Sequence, residues 1–140
     1  HQGRAEAAMR PVFADTFFFI ALINERDEYH GAARAWKAGS RAPSVTTPWV
    51  LVDVLDAMAS SPVRGATASF VARLLTDRAT QVVDDRDLFQ EGLRLFTSRE
   101  DKAWSVTDCL SFVVMKRRRI CQALTADHHF TQAGFKALLR

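Results

Sequence analysis

The chain has 140 residues, 48% hydrophobic and 25% charged, enough for one domain with a real core and too apolar for a disordered chain. Its longest apolar run, FFFIALI at residues 17–23, is far shorter than the roughly 20 residues of a membrane helix, so no membrane span is expected. Nineteen basic against sixteen acidic residues leave a net charge of +3, which does not separate a nucleic-acid binder from an ordinary basic protein. Cys109 and Cys121 lie in no CxxC pair and have no histidine at zinc-finger spacing. They read as reduced core cysteines, and with no signal-peptide pattern the expected location is the cytoplasm. Residues 1–10 are read as a leader or an added remnant, and residues 11–140 as a single domain.

In chain order, PVFAD at 11–15 is a short apolar run ending in an acid, predicted as a strand. TFFFIALIN turns directly into helix, with Thr16 near its cap. Its excess of phenylalanine is read as mostly core, with part of it forming a groove for a partner helix. YHGAARAWKAG has helical spacing and a stop at Gly39. PSVTT is short and β-branched, a second strand. TTPWVLVDVLDAM follows, with Thr46 or Thr47 as cap and Pro48 in the first turn. It is apolar nearly all round, which predicts a buried helix, yet it carries Asp53 and Asp56 on one face. VRGATASFVARLLTDR is an amphipathic helix with Phe70, Leu74 and Leu75 together. ATQVVDD is a strand, and RDLFQEGLRLFTSR a helix that puts Leu88, Phe89, Leu93 and Phe96 on its apolar side. SVTDCLSFVVMKRRR begins with Ser105 as cap and Asp108 three residues later, a capping-box pattern. ICQALTAD is the next strand, HHFTQAGF a loop or short helix, and KALL a last edge strand. Strands alternating with helices predict an α/β fold, a central parallel sheet with helices on both faces and right-handed crossovers.

Ligands of such sheets sit beyond the carboxyl ends of the strands. Asp15 and Asp127 each end a strand, Asp108 opens a helix, and Asp53 lies in the second turn of a helix that follows a strand. Four carboxylates from distant parts of the chain thus converge on one sheet edge, with no base similarly placed. Such a cluster repels itself and raises its own pKa values unless a hard divalent cation, Mg²⁺ or Mn²⁺, sits among the oxygens. Such a metal lowers the pKa of a bound water and stabilises phosphate charge. Taken singly, Asp15 and Asp127 also read as turn or cap residues, and Asp108 as a dipole match. Asp53 is hardest to dismiss, because an acid inside an apolar helix is costly unless paired or metal-bound.

The order of motifs resembles the PIN-domain nucleases, and within them the VapC-like toxins of toxin–antitoxin pairs. The resemblance rests on VFADTFFFIALIN, YHGAA, TTPWVLVDVLDAM, DKAWSVTDCLSFVVMKRRRI and ALTADHHFTQAGFKAL, and spans residues 12–138. It implies a three-layer PIN-like fold and Mg²⁺- or Mn²⁺-dependent cleavage of RNA by an activated water. It also implies a small antitoxin partner and a homodimer. Carried over by position, the metal-site and catalytic acids are Asp15, Asp53, Asp108 and Asp127, with Asp101 a secondary position. The family usually has Glu where this chain has Asp53, shorter by one methylene, about 1.5 Å of reach. A water could bridge that gap, the metal could shift, or activity could fall. Asp56, one turn on, is a secondary candidate.

Lys116, Arg117, Arg118 and Arg119 form a basic run at a helix end, about 12–16 Å along the axis from Asp108. It reads first as a match to the helix dipole on a solvated surface, and second as a contact for RNA phosphates. His128 and His129 are read as loop histidines, with a transition-metal site or a general base as the alternative. His30 is read as structural. Thr16 and Thr107, each beside an acid, read as caps or as groups that orient carboxylates.

The leading functional expectation is therefore a metal-dependent endoribonuclease. A phosphotransfer domain of the receiver type would use VVDD, but needs an acid pair at the first strand and a Lys after the last, and both cannot be placed. A degenerate PIN fold that binds RNA or protein without cutting is the non-enzymatic alternative, kept open by Asp53.

Overall fold

The computed structural model describes residues 9–140. Part of the expected leader therefore lies outside the described residues. Five short strands form one sheet: β1 (Val12–Ala14), β2 (Ser44–Thr46), β3 (Thr80–Val82), β4 (Gln122–Leu124) and β5 (Lys136–Ala137). The order is β3-β2-β1-β4-β5, and every neighbouring pair is parallel. Phe13 on central β1 aligns with Val45 on one side and Ala123 on the other. All three residues of β1 are buried, as a strand covered on both faces requires.

Seven helices fill the connections: α1 (Thr16–Ile23), α2 (His30–Gly39), α3 (Pro48–Ala57), α4 (Arg64–Leu74), α5 (Leu88–Ser98), α6 (Val106–Arg118) and α7 (His128–Gln132). From β1 the chain moves to β2, and from β4 it moves the opposite way to β5. With right-handed crossovers these two connections cover opposite faces, so three layers result. The same reversal opens a crevice beyond the ends of β1 and β4, the switch point where ligands bind such sheets.

Local chemistry sets the frame of that crevice. Thr46 Oγ1 donates to the Ala14 carbonyl at 2.9 Å and pins the end of β2 to the end of β1. Thr47 then caps α3 by accepting from Val50 N–H, with Pro48 in the first turn. α6 is the most deeply placed helix, with Cys109, Leu110, Ser111, Phe112, Val114 and Met115 all buried. It packs tightly on α5 at Gly92, where any Cβ would overlap the Leu110 side chain.

Four expectations are corrected. α3 is not buried all round: Val50, Leu51 and Val54 face the core, while Val52, Asp53 and Asp56 are exposed. An acid there faces water, so its cost in an apolar helix does not arise. On α4, Leu74 is buried but Leu75 points outward, because the helix ends at Leu74 and its face no longer governs the next residue. On α5 only Leu88 and Gly92 are buried, and Phe89, Leu93 and Phe96 are exposed. The phenylalanines of α1 are mostly core, as expected: Phe18 and Phe19 are buried and pack edge-on against Trp36 and Phe70, and Phe17 is half-buried against Tyr29. With Leu22, Trp36 and Leu74, the Phe18 and Phe19 rings line a concavity of about 190 Å³. Both cysteines are free, but only Cys109 is a core residue; Cys121 is exposed at the start of the β4 segment.

Candidate active site

Asp15 follows β1 directly, in extended conformation, as the N-cap of α1. It is only 5% exposed. Its Oδ2 accepts from the Thr125 hydroxyl at 3.0 Å. Thr125, itself fully buried just past β4, also accepts from Asp127 N–H at 3.0 Å. One hydroxyl therefore ties the acid after β1 to the turn that carries the acid after β4. Asp127 caps α7, and its Oδ1 accepts from His129 N–H at 2.9 Å. Asp108 sits in the first turn of α6 in a complete capping box. Its N–H donates to Ser105 Oγ at 3.0 Å, and its Oδ2 accepts from Ser105 N–H at 3.1 Å. The same Oδ2 lies 3.1 Å from His129 Nδ1. A carboxylate only accepts, so Nδ1 carries the proton in this pair. His129 Nδ1 is also 3.5 Å from Asp127 Oδ1, so one imidazole faces two of the acids.

Electrostatics bear out the crowding. Burial, then the Asp108 charge, pushes Asp15 up to about 7, against the pull of the Thr125 hydroxyl and the Thr16 backbone; Asp127 adds a smaller push. Burial also raises Asp108, opposed by the Ser105 backbone hydrogen bond and His129 and reinforced by Asp127. Among the described residues no Lys or Arg pairs with these three carboxylates, and the only basic side chains in contact are the His128 and His129 rings. A cluster of oxygens whose own charge is suppressed, without an Arg or Lys counter-charge, fits a hard divalent cation. The Thr16 hydroxyl, beside Asp15, is buried with no hydrogen-bond partner, a further oxygen at this place left unsatisfied.

Three of the four expected acids are thus brought together. Asp53 stands exposed on α3 and makes no hydrogen bond or ion pair among the described residues. The charges acting on Asp15 are those of Asp108 and Asp127. Asp56 is likewise exposed. Asp101 is exposed and held by Arg99 in a two-pronged pair, both contacts at 2.9 Å, which pulls its pKa down to about 2. In the basic run, Arg118 is half-buried against Asp85 at 3.3 Å, while Lys116, Arg117 and Arg119 are exposed.

Two further residues belong to this arrangement, Thr125 and His129. Thr125 is absent from the sequence-based candidates, although a buried β-branched hydroxyl two residues before a strand-end acid has little reason to be polar unless it orients something. His129, expected as a loop histidine with a metal-site or general-base role as the alternative, lies on α7 with a side chain only 20% exposed, turned to Asp108 and Asp127. The second histidine stays close too: Asp127, His128 and His129 offer ligand atoms within 4.8 Å of one another.

A parallel five-stranded sheet with an acidic crevice at its switch point is the architecture of a PIN domain, and the family model for the PIN domain matches residues 12–136. The chain belongs to the PIN-domain family. Within it the chain is similar to the 23S rRNA-specific endonuclease VapC20 of Mycobacterium tuberculosis, from strain CDC 1551 / Oshkosh and from strain ATCC 25618 / H37Rv. Each is 31% identical over 132 residues, 89% of this chain and 95% of the relative. The crystal structure of M. tuberculosis VapC20, described as a sarcin-ricin loop cleaving toxin, matches with a TM-score of 0.81 at 26% identity. That match covers 89% of this chain and 95% of the other. The three-layer PIN fold and the VapC-like resemblance seen in the motifs are borne out.

Proposed function

We propose that this chain is a metal-dependent endoribonuclease and the toxin of a toxin–antitoxin pair, acting in the cytoplasm. The observation that carries the reading is the convergence of Asp15, Asp108 and Asp127 at the switch point, with two of the three carboxyls pushed toward neutrality. These residues would hold Mg²⁺ or Mn²⁺. When bound, the cation supplies a water nucleophile at neutral pH and offsets the charge that builds on the phosphate. The protein's part is orientation. Thr125 fixes the Asp15 carboxylate, Ser105 and His129 fix Asp108, and the Asp127 cap sets the start of α7. Asp53, exposed on α3 and one methylene short of Glu, would contribute from outside the cluster, where a water could bridge the gap. The naming of VapC20 as an rRNA endonuclease supports RNA as substrate class, and makes a ribosomal stem–loop the first RNA to try.

The exposed Asp53 also favours a second reading, a PIN fold that binds RNA or protein without cutting. One experiment separates the two. Wild-type protein and Asp108→Asn are incubated with a labelled RNA stem–loop in Mg²⁺, Mn²⁺ or EDTA. The nuclease reading expects cleavage by the wild type in metal alone, and none by the variant with its circular dichroism unchanged. RNA bound but left whole in every metal supports the binding module.

An antitoxin and a second copy of the chain are further proposed partners. Val52 on α3 and Phe89, Leu93 and Phe96 on α5 are all at least 44% exposed, and Trp49 stacks on Phe89 at 6.2 Å. Exposed apolar side chains in such number support a surface that a partner covers.

A further inference from the structure

A second concavity lies beside the acidic crevice, between α5, α6 and α7, with a volume of about 580 Å³. Its floor is apolar, made by Leu95, Phe112, Val113 and Phe135, and Trp104 closes one end. Trp104 is fixed three ways. Its Nε1 donates to Gln132 Oε1 at 3.0 Å, Phe112 packs edge-on at 5.0 Å, and the Arg99 guanidinium lies 5.0 Å from its ring. Arg99 is itself held by Asp101 through both prongs, so a planar cation stands at the rim in one orientation. The rim carries Arg94, Arg99, Lys116 and Arg117 against one acid, Glu91, which already pairs with Arg94. The side chains of Lys116 and Arg117 are exposed and make no ion pair or hydrogen bond among the described residues.

The groove and the catalytic crevice are built on the same two helices, α6 and α7. Trp104 immediately precedes Ser105, the cap of the helix that carries Asp108, and Gln132 ends the helix that opens with His128 and His129. Lys116 lies eight residues past Asp108 on α6, about 12 Å along the axis. An apolar slot with a cationic rim suits a flat, apolar base joined to phosphates, and its volume lies in the range of small-ligand sites. We propose that the groove between α5, α6 and α7 takes an unstacked base of the RNA strand next to the scissile phosphate. Lys116 and Arg117 hold the adjoining phosphates, and the fixed Arg99–Trp104 pair forms the end wall. Asp101 then serves recognition by fixing Arg99, and the basic run divides, with Lys116 and Arg117 facing RNA and Arg118 committed to Asp85. The proposal rests on the reading of the chain as an RNA nuclease.

The test uses the full chain with Asp108→Asn, labelled with 5-fluorotryptophan, in EDTA, and a single-stranded RNA of twelve nucleotides as probe. The Trp104 fluorine resonance, assigned by Trp104→Phe, should move on adding RNA while that of Trp36 stays. Adding Lys116→Ala and Arg117→Ala should weaken binding by about tenfold and make the slope of log K against log salt shallower by about 1.4, for two lost contacts to a single strand. RNA that binds with Trp104 unmoved and with both slopes equal overturns the proposal and leaves the nuclease reading intact. A Trp104 shift that follows protein concentration rather than RNA assigns the groove to a second copy and also overturns it. If the wild type neither binds nor cuts RNA in Mg²⁺ or Mn²⁺, the nuclease reading falls as well.

Discussion

Asp15→Asn should stabilise the metal-free protein while destroying its activity. The Asp15 carboxyl moves from 3.8 to about 7 on folding, chiefly because it is buried and faces Asp108. Between those values the native state holds the proton and the unfolded chain releases it. The stability tied to that proton is therefore fully present below about pH 4 and is lost as pH rises through about 7. Three units at 1.36 kcal/mol each put the loss on the order of 4 kcal/mol. An amide carries no charge to desolvate, and its oxygen can still accept from the Thr125 hydroxyl. The assay is urea unfolding in EDTA at pH 4, 6 and 8. The wild type should weaken as pH rises, and Asp15→Asn should weaken less. At pH 8 the variant's midpoint should be higher by more than about 1 M, for a slope of 1–3 kcal/mol per M. Equal midpoints at pH 8, or a wild type that gains stability from pH 4 to 8, would refute the account of this carboxyl.

Adding Mg²⁺ or Mn²⁺ at pH 8 should stabilise the wild type by about 2.7 kcal/mol at one hundred times Kd and so raise its melting temperature. The gain should shrink at pH 5, where Asp15 is protonated; calorimetry at the two pH values checks this. His129→Gln should weaken metal binding by about 10–100-fold, as loss of an outer partner does, and titration calorimetry with Mn²⁺ reads it directly. Thr125→Val should cut cleavage by a similar factor and cost about 1–3 kcal/mol of stability, since the Asp127 N–H loses its acceptor. Asp53→Glu should raise cleavage in limiting metal if the outer carboxylate gains direct reach; a rate unchanged by both Asp53→Glu and Asp53→Ala would remove this residue from the site.

Most of the fold was legible because its markers are local. Thr47 with Pro48, the Ser105–Asp108 box and Gly39 each mark a helix end through chemistry within a few residues. The alternation of elements then led to a parallel sheet, and the sheet to its carboxyl edge. Burial of individual faces was less legible. Phe89, Leu93 and Phe96 follow helical spacing, but the core face of that helix is Leu88, Gly92 and the half-buried Leu95, because α5 packs through its glycine on Leu110. Apolar periodicity shows which residues share a side and not what covers that side. The acids at element ends were found for the reason they matter: chain position alone carries them to the switch point. Thr125 and His129 act through partners 110 and 21 residues away, Asp15 and Asp108, and no local pattern announces such pairs. Asp101 shows the converse. Its place in the motif marked it for the metal site, while the nearby Arg99 claims both of its oxygens.

The central claim is that Asp15, Asp108 and Asp127 hold one catalytic cation. The most direct measurement is a crystal structure of the protein soaked in Mn²⁺, with the ion placed by anomalous scattering. The account predicts a peak within about 2.3 Å of carboxylate oxygens of Asp15 and Asp108, with Asp127 in contact directly or through water. A peak on Asp127, His128 and His129 alone, with Asp15 still bonded only to Thr125, would contradict it.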